Sequence, residues 1–190
     1  MTVMTTEVSA GLPRGRALTR DDLAAMPDDG HRYELLDGVL IVSPAPKWLH
    51  QRASFRLSVL LDAALPPDLE LLPAPFDVAL ADDTVMHPDL VVARSEDFTE
   101  RDLPVAPLLA VEVLSPSTRG IDLLLKKDRL ERAGCAHYWV VDPEEPSVTA
   151  WALTDGAYRQ VTRAVGAETF AVDDPFDVRL TPADLVLSGR

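Results

Sequence analysis

An acid and a lysine, Glu112 and Lys126, stand where the sequence pattern predicts buried side chains. Period-two alternation places Glu112 on the same strand face as the apolar Leu114. At helical spacing, Lys126 falls on the same stripe as Leu130, the stripe that packs toward a sheet. Because an unpaired buried charge is costly, each of these groups requires a partner. The residues alone favour a structural ion pair, and a metal and phosphate site is the alternative.

Both side chains belong to one strand–helix–strand unit, which spans residues 108–142. Its first apolar strand ends at Ser115-Pro116-Ser117-Thr118, since proline removes a ladder donor and hydroxyl side chains bond to turn backbone. A helix is predicted from about residue 122 to residue 133, where Gly134 is placed to end it. Residues 137–141 predict a second apolar strand. The unit therefore brings a strand residue and a helix residue toward one sheet.

Turn and periodicity signals predict the elements on either side of this unit. Asp37-Gly38 between the apolar runs 33–36 and 39–43 predicts a hairpin. Thr19 is placed to cap a short helix over residues 21–26. The other predicted elements are helices at 49–65 and from Thr181 through 187, strands at 70–74, 76–80 and 86–93, a hairpin at 148–153 and 158–161, and edge strands at 168–172 and 176–180. In the helix at 49–65 we expect an inner stripe of Leu57, Leu60, Leu61 and Ala64.

Three other residues in these elements carry groups that chemistry can use. Glu34 alternates with apolar neighbours, and the residues alone predict that it faces solvent. His50 lies near the start of the helix at 49–65, a position as consistent with solvent exposure as with a site. Asp89 follows His87-Pro88 and leads an apolar strand, a place where an aspartate is often a turn residue. Each of these signals is weak when taken singly.

The composition is that of a globular protein with a real core: 190 residues, of which 47% are hydrophobic. Residues 1–16 have little periodicity and predict a flexible tail, and residues 17–190 predict one domain. No apolar run approaches the roughly 18 residues of a membrane span, and no secretory signal is evident. The single cysteine, Cys135, excludes an internal disulfide and fits a reducing compartment, so we expect a cytoplasmic protein with a buried, inert thiol.

The formal net charge of −13 argues against loose, charge-driven binding to nucleic acid. It does not exclude a nuclease, because a local cleft can be basic and a bound metal ion adds positive charge.

Several motifs occur together over about residues 19–187. They are Glu34 with Asp37-Gly38, His50, Pro88-Asp89, Val111-Glu112-Val113, Ser115-Pro116-Ser117-Thr118, Asp122, Lys126, Gly134 and Tyr138-Trp139-Val140-Val141-Asp142. In this combination and order, the chain resembles the Uma-type family of restriction endonucleases, within the PD-(D/E)XK nuclease superfamily. The resemblance implies an α/β (α+β) fold with a restriction-endonuclease-like core. Such a core is a central mixed β-sheet flanked by helices, here with an N-terminal β-hairpin and C-terminal antiparallel strands.

The resemblance also implies a divalent-metal site for the hydrolysis of phosphodiester bonds, and as the substrate we expect DNA more than RNA. Carried over by position, Asp89 and Glu112 hold Mg²⁺ or Mn²⁺, metals that suit hard carboxylate oxygens. Lys126 then orients the attacking water or stabilises developing charge, replacing the superfamily lysine at the position of Leu114. The resemblance adds Glu34 as a metal ligand or an outer partner, and His50 or His87 as a phosphate contact. Asp122 is a further candidate, and Leu130 stands where an aromatic residue is common.

Two functions of different classes remain open at this point. The first is a metal-dependent endonuclease, which the joint presence of Asp89, Glu112 and Lys126 favours. The second is a non-catalytic, nuclease-like binding or regulatory module, which the negative charge and the lack of an evident DNA-reading element favour. Leu124 and Leu125 lie off the inner stripe of their helix, and for this reason we expect a homodimer.

Overall fold

The computed structural model describes residue 13 and residues 15–187. In the first half of the chain the elements are α1 (Arg20–Ala24), β1 (Arg32–Leu36), β2 (Val39–Ser43), α2 (Trp48–Asp62), β3 (Leu69–Pro73), β4 (Asp77–Ala81), β5 (Thr84–Met86), β6 (Leu90–Arg94) and β7 (Asp102–Leu103). A 3₁₀ turn at Ser95–Asp97 joins β6 to β7. The predicted hairpin is confirmed as β1–β2. Its turn residues Asp37 and Gly38 have φ angles of 47° and 78°, as an Asp-Gly hairpin turn requires.

The second half of the chain contains the predicted strand–helix–strand unit. The elements are β8 (Leu109–Val113), a π-helical segment (Ile121–Lys126) that continues directly as α3 (Lys127–Ala133), β9 (His137–Asp142), β10 (Ser147–Thr154), β11 (Ala157–Val165), β12 (Phe170–Val172), β13 (Val178–Leu180) and α4 (Pro182–Val186). Gly134 ends α3 with a φ of 85°, the left-handed conformation that glycine adopts without strain. The predicted helix is thus confirmed, except that its first turn and a half are π-helical.

Two larger sheets organise the molecule. The first has the strand order β11-β10-β9-β8-β6-β3, and the second has the order β2-β1-β5-β4-β7. In the six-stranded sheet β8 and β9 run parallel, and every other neighbouring pair is antiparallel. The parallel pair follows from the helical crossover between β8 and β9, since parallel strands need such a connection. Strands β12 and β13 form a separate two-stranded sheet.

The hydrophobic core lies on both faces of the six-stranded sheet. On one face, Leu57 and Leu61 of α2 pack with Leu109, Val111 and other residues of the sheet, together with β12, β13 and α4. On the opposite face, side chains of the five-stranded sheet and of α3 meet the strands, through Leu36, Met86, Ala110, Leu130 and Tyr138. A mixed sheet with helices on both faces confirms the predicted fold class.

The predicted strand at 86–93 is wrong in one respect: it divides at His87-Pro88-Asp89 into β5 and β6. Proline cannot donate to a strand ladder, so pairing stops there. Strand β5 pairs with β1 and β4 in the five-stranded sheet, whereas β6 pairs with β3 and β8 in the six-stranded sheet. Asp89 consequently lies at the point where the chain passes from one sheet to the other.

The inner stripe predicted for α2 also needs a correction. Leu57 and Leu61 are fully buried, and Ala64 packs against the same core just beyond the end of the helix, but Leu60 is 42% exposed. The sheet-facing side of α2 is centred between Leu57 and Leu61, and Leu60 is rotated about 100° from Leu61. The inward positions are therefore those of His50, Ala53, Leu57 and Leu61, and His50 belongs to this buried side.

Most of the predicted N-terminal tail, residues 1–16, falls outside the described residues. Arg16, which is described, forms an ion pair with Asp22 at the start of α1, with 2.6 Å between Nη1 and Oδ2. Cys135 is buried as predicted, and burial raises the pKa of its thiol to about 11. Among the helices of residues 15–187, none is long and apolar enough to cross a membrane.

Candidate active site

Asp89 and Glu112 are neighbours across the β6–β8 pair. Leu90 pairs with Val111 in the antiparallel register, so one further step along both strands sets Asp89 opposite Glu112. Residues directly opposite in an antiparallel pair project to the same face, and two like charges there destabilise the sheet. Both side chains are buried, with 4% and 1% of their surface exposed. The pair therefore requires cations close by.

Lys126 supplies one of these cations. Its Nζ lies 2.8 Å from Glu34 Oε1, 3.1 Å from Glu112 Oε1 and 3.7 Å from Asp122 Oδ1. The lysine is only 1% exposed, so the ammonium is held by carboxylates rather than by water. The helical stripe predicted this inward direction. The structural ion pair that the residues alone favour is therefore present, and it contains the acid that the alternative, a metal and phosphate site, would use.

The π-helical segment positions Lys126 and Asp122 together. The Tyr138 hydroxyl donates a hydrogen bond to the carbonyl oxygen of Asp122 at 2.7 Å, and a side chain that binds a helix carbonyl in this way interrupts the α-helical ladder. The Thr118 hydroxyl donates to Asp122 Oδ2, also at 2.7 Å. Tyr138 and Thr118 come from two of the motifs on which the family resemblance depends. These two motifs therefore hold the turn that carries the charged residues.

Glu34 is buried, and the solvent-facing interpretation of this residue is wrong. It is 1% exposed, and its Oε1 accepts a hydrogen bond from the backbone N–H of His87 at 2.7 Å, in addition to the contact with Lys126. Alternation along β1 describes the two faces correctly. However, the face that carries Glu34 and Leu36 packs against the helical segment instead of facing water. The covering element is distant in sequence, so the local pattern could not reveal it.

Three donors hold the Asp89 carboxylate. The Val113 backbone N–H donates to Oδ2 at 2.8 Å, and His50 Nε2 lies 3.1 Å from the same oxygen. Arg32 Nη1 lies 3.3 Å from Oδ1. His50 is 8% exposed, so this histidine is part of the cluster and not a surface residue. Asp89 is thereby fixed from β8, α2 and β1 at once.

Arg32 is the site residue that the sequence analysis missed. Besides Asp89, it approaches Glu34, with 3.6 Å between Arg32 Nε and Glu34 Oε2. A signal was present, because Arg32 precedes Glu34 by two residues on β1 and must share its face. Once Glu34 is placed in a site, alternation places Arg32 there too.

His87 contributes through its main chain. Its backbone N–H holds Glu34, whereas its imidazole Nε2 lies 2.7 Å from Asp77 Oδ1. The imidazole is thus engaged by β4, outside the Lys126 cluster. Of the additional candidates, the structure places Glu34, Asp122 and His50 in direct contact with Lys126 or Asp89, and His87 beside them.

Burial and mutual repulsion set the protonation of the carboxylates. Burial, reinforced by the charges of Asp122, Asp89 and Glu34, raises the pKa of Glu112 well above its usual range, although Lys126 opposes the shift. Burial alone would also raise the pKa of Glu34, but Lys126 and Arg32 outweigh it and lower that pKa. Glu112 is therefore the carboxyl of this pair that holds a proton more readily.

In Asp89, Asp122 and Lys126, burial and the neighbouring charges again act on the pKa in opposite directions. Burial would raise the pKa of Asp89, yet its contacts with His50, Arg32 and the Val113 N–H lower it. Burial raises the pKa of Asp122, with Lys126 opposing. Burial would lower the pKa of Lys126, and the surrounding carboxylates raise it instead, so this lysine stays charged.

A cleft of about 1150 Å³ opens beside the cluster. Asp89, Asp122, Arg32 and His50 line it, together with the Ser115–Thr118 turn, β1, the start of α2 and the residues around Pro73–Pro75. Glu112, Lys126 and Glu34 lie behind this wall. Asp89 is thus the acid of the β6–β8 pair that faces the cleft.

The donor set suits a divalent cation. Carboxylate oxygens are the ligands that Mg²⁺ and Mn²⁺ prefer. Four carboxylates (Glu34, Asp89, Glu112 and Asp122) face two cationic side chains (Lys126 and Arg32), so full ionisation would leave an excess of negative charge. Glu34 Oε2 is buried and has no hydrogen-bond partner within the part of the chain that the structure describes. In the arrangement that the structure describes for residues 15–187, however, no three acidic, histidine or cysteine side chains are placed around a common metal position.

Two positions depart from the usual nuclease pattern. Leu114, where the superfamily commonly has its lysine, is buried in the cluster of apolar residues around Tyr138. Leu130, where an aromatic is common in the Uma-type family, is fully buried in the same cluster. Tyr138 stacks on Tyr158 there, with 5.9 Å between ring centroids. Lys126, which comes from the helix, contacts Glu112 in place of a lysine at position 114.

Comparison with known proteins identifies the family and the fold. A family model described as "Uma2: Putative restriction endonuclease" matches residues 20–183. A crystal structure of a putative nuclease belonging to DUF820, from Anabaena variabilis, superposes with a TM-score of 0.70 at 19% sequence identity, covering 89% of this chain and 97% of that one. That likeness shows a shared fold. No curated protein matches the chain. Since the family model covers most of the sequence, the chain belongs to the Uma2 family of putative restriction endonucleases.

Proposed function

We propose that the protein is a metal-dependent endonuclease that hydrolyses phosphodiester bonds in DNA. The observation that carries the proposal is the convergence of Asp89, Glu112 and Lys126, which come from two strands and a helix far apart in sequence, in one buried cluster of which Asp89 reaches the cleft. Folding stability alone does not require such a cluster, because well-packed apolar residues of similar volume often serve as well or better. Membership of a family described as restriction endonucleases supports the same function.

Asp89 and Glu112 would hold Mg²⁺ or Mn²⁺, with Glu34 as a direct ligand or an outer partner. Such an ion lowers the pKa of a bound water and polarises the phosphoryl oxygen. The protein's own contribution is orientation. The Val113 N–H and His50 fix the Asp89 carboxylate, and partners of this kind typically account for 10–100-fold in metal affinity or activity.

Lys126 would supply the positive charge that stabilises negative charge developing on the phosphate. Its pKa is raised by the carboxylates around it, so the ammonium keeps its proton throughout the neutral range. Glu34 and Asp122 hold the ammonium in place, at 2.8 and 3.7 Å. A charge that is already oriented costs little reorganisation when the reaction begins.

A non-catalytic, nuclease-like binding or regulatory module is the second candidate function. The specific observation in its favour is that Lys126 contacts three carboxylates at once, so the cluster is already partly neutralised without a metal ion. The net charge of −13 also disfavours tight binding to a polyanion.

The assembly that we propose is a homodimer. Leu124 and Leu125, on the outer side of the π-helical segment, are 69% and 53% exposed. Paired exposed leucines on one helical turn are typical of a contact surface. A two-fold assembly would also match the two-fold symmetry of a DNA duplex.

Plasmid nicking tests the proposed activity. Purified protein is incubated with supercoiled plasmid at low ionic strength with Mn²⁺, with Mg²⁺, or with excess chelator. We expect nicking with either metal, none with chelator, and a steep loss as salt is added, because counterion release dominates backbone binding. Equal nicking in chelator would reject the metal-dependent mechanism. Metal binding without cleavage of any DNA would support the second candidate.

A further inference from the structure

Helix α2 carries a row of exposed apolar side chains that no described element covers. Trp48 is 63% exposed, Phe55 is 69% exposed and Val59 is 54% exposed. Their spacing of seven and four residues places them on one side of the helix. The Arg52 guanidinium lies over the Trp48 ring, 5.4 Å from its centroid. Trp48, Phe55 and Val59, with Arg52 over the Trp48 ring, form what we call the α2 aromatic stripe.

The α2 aromatic stripe borders the cleft that leads to Asp89. Residues of α2 and its N-cap line that cleft at helical spacing: Lys47, His50, Gln51, Ser54, Phe55 and Ser58. Phe55 therefore belongs both to the stripe and to the cleft wall. On the same helix, His50 holds the Asp89 carboxylate. One helix thus connects an exposed aromatic ring to the proposed cleavage site.

The cleft differs in charge from the rest of the molecule. Its lining contains four lysines and arginines (Arg20, Arg32, Lys47 and Arg101) against four aspartates (Asp28, Asp77, Asp89 and Asp122). The chain as a whole has a formal charge of −13. A polyanion is repelled less by this cleft than by the average surface. The volume of about 1150 Å³ also exceeds the roughly 300–1,000 Å³ of small-molecule sites, which suits a segment of a polymer.

We propose that this cleft binds an unpaired stretch of DNA, with one base stacked on Phe55 in the cleft wall and a second base, about three steps along the strand, stacked on Trp48 outside the cleft lining. The proposal deepens the proposed function, on which it rests, by naming the substrate class: single-stranded or locally unpaired DNA. Aromatic rings next to cations are the usual means of holding single strands, because every base presents a face for stacking. In a duplex those faces are covered by adjacent base pairs, so the stripe gains little from intact double-stranded DNA.

The dimensions of α2 fit this arrangement. Trp48 and Phe55 are seven residues apart, which is about 10 Å along a helix at roughly 1.5 Å per residue. Bases along one strand rise by roughly 3.4 Å, so about three base steps separate the two rings. Gln51 lies between them on the cleft side, where its amide can both donate and accept hydrogen bonds at a base edge.

Binding measurements on the wild-type protein and its variants test the inference. The probe is a fluorescein-labelled single strand of about 12 nucleotides, within the site sizes seen for single-strand binders, with a duplex of the same sequence for comparison. Anisotropy is recorded at low salt with excess chelator, so that cleavage does not interfere. We expect Phe55→Ala to weaken single-strand binding about 10- to 100-fold and to leave duplex binding unchanged.

Three variants separate stacking from other effects. Val161→Ala is the matched control, because Val161 is an apolar residue that is 59% exposed and lies outside both the cleft lining and the proposed dimer contact. This control should bind like wild type. Phe55→Tyr keeps an aromatic face and should keep most of the affinity. Phe55→Leu keeps an apolar side chain without that face and should behave like Phe55→Ala.

Equal single-strand affinity of wild type and Phe55→Ala, including no binding by either, overturns the inference, as does full affinity in Phe55→Leu. If Phe55→Ala instead lowers the mass measured by light scattering and leaves DNA binding unchanged, the stripe is an interface between copies and the inference is wrong. Plasmid nicking separates the two proposals. If the wild type nicks plasmid only with metal and Phe55→Ala leaves single-strand affinity unchanged, the inference is rejected and the proposed nuclease activity is not. Loss of single-strand binding in Phe55→Ala, with no nicking by wild type, supports the binding surface and rejects the nuclease.

Discussion

Lys126 and Glu34 meet across the interface between the π-helical segment and β1, with 2.8 Å between Nζ and Oε1. The two residues are separated in sequence by about half the length of the chain, and both are almost completely buried. Their contact joins the β1–β2 hairpin to the helix that follows β8. It also places an ammonium group between Glu34 and Glu112. A single side chain therefore neutralises acids from two different sheets.

Replacing Lys126 should destabilise the fold strongly. Lys126→Met leaves Glu34 and Glu112 without their shared cation, and removing one partner of a buried ion pair typically costs about 3–5 kcal/mol. Urea unfolding followed by circular dichroism measures the change. Lys127→Met is the matched control: Lys127 is only partly buried and lies over the Trp151 ring at 4.7 Å, a contact worth about 1 kcal/mol or less.

The double variant Lys126→Met with Glu112→Gln should recover part of the lost free energy of unfolding, because one of the unpaired carboxylates is then neutral. Equal losses in Lys126→Met and Lys127→Met would contradict the proposed charge balance.

The raised pKa of Glu112 predicts a pH dependence of stability. Burial holds this pKa above its ordinary value of 4.5, so the folded state keeps a proton that the unfolded chain releases. Stability that is present below pH 4.5 is then lost as the pH rises toward the folded-state pKa, at up to about 1.4 kcal/mol per pH unit. Metal-free wild type should therefore lose stability relative to Glu112→Gln between pH 5 and the folded-state pKa.

Urea midpoints of the two proteins across that pH range measure the difference. A constant difference in the free energy of unfolding would show that Glu112 does not titrate abnormally in the folded protein.

The turn at Gly38 should tolerate no side chain. Its φ is 78°, and a Cβ added there would lie 2.5 Å from Ala17 Cβ, far inside van der Waals contact. Gly30 provides the control, since its φ is 83° but an added Cβ meets nothing within 4 Å. We expect Gly30→Ala to cost about 1–2 kcal/mol for the left-handed backbone alone. Gly38→Ala should cost clearly more, and thermal unfolding of the two variants measures this. Equal losses would mean that the segment before α1 does not pack against the hairpin.

The proposed homodimer predicts a specific mass. Light scattering at micromolar concentration should give twice the chain mass of 20.7 kDa. The double change Leu124→Glu with Leu125→Glu should yield the monomer, because it places four carboxylates in one two-fold contact. Val105→Glu, at a residue 43% exposed, is the control and should remain dimeric. A monomeric mass for the wild type would reject the proposed assembly.

Local signals were sufficient for most of the elements. The unit from β8 to β9 was predicted closely because its strands are short apolar runs and its turns contain Pro116 and Gly134. Alternation and helical spacing also gave the directions of Glu112 and Lys126. Each of these features depends on residues that are close together in sequence.

Long-range packing accounts for what the sequence could not predict. The burial of Glu34 depends on a helix almost ninety residues later covering that face of β1. The division of the predicted strand at Pro88 occurs because β5 pairs with β1, whereas β6 pairs with β8. His50 and Arg32 join the cluster only because α2 and β1 begin beside Asp89. Strand pairing and helix packing of this range leave no local periodicity to detect.

Asp89→Asn gives the most direct test of the central claim. The amide keeps the shape of the side chain and removes the charge that would hold a metal ion. Asp37→Asn is the matched control: Asp37 is an acid paired with Arg129 and Arg132 outside the cleft lining, and asparagine tolerates its positive φ. Both variants are first shown to be folded, and plasmid nicking is then measured with Mn²⁺. We predict that Asp89→Asn loses at least about 100-fold in rate, since loss of even an outer partner typically costs 10–100-fold, and that Asp37→Asn nicks like wild type. Equal nicking by Asp89→Asn and wild type would show that the cluster at Asp89, Glu112 and Lys126 is not a catalytic site.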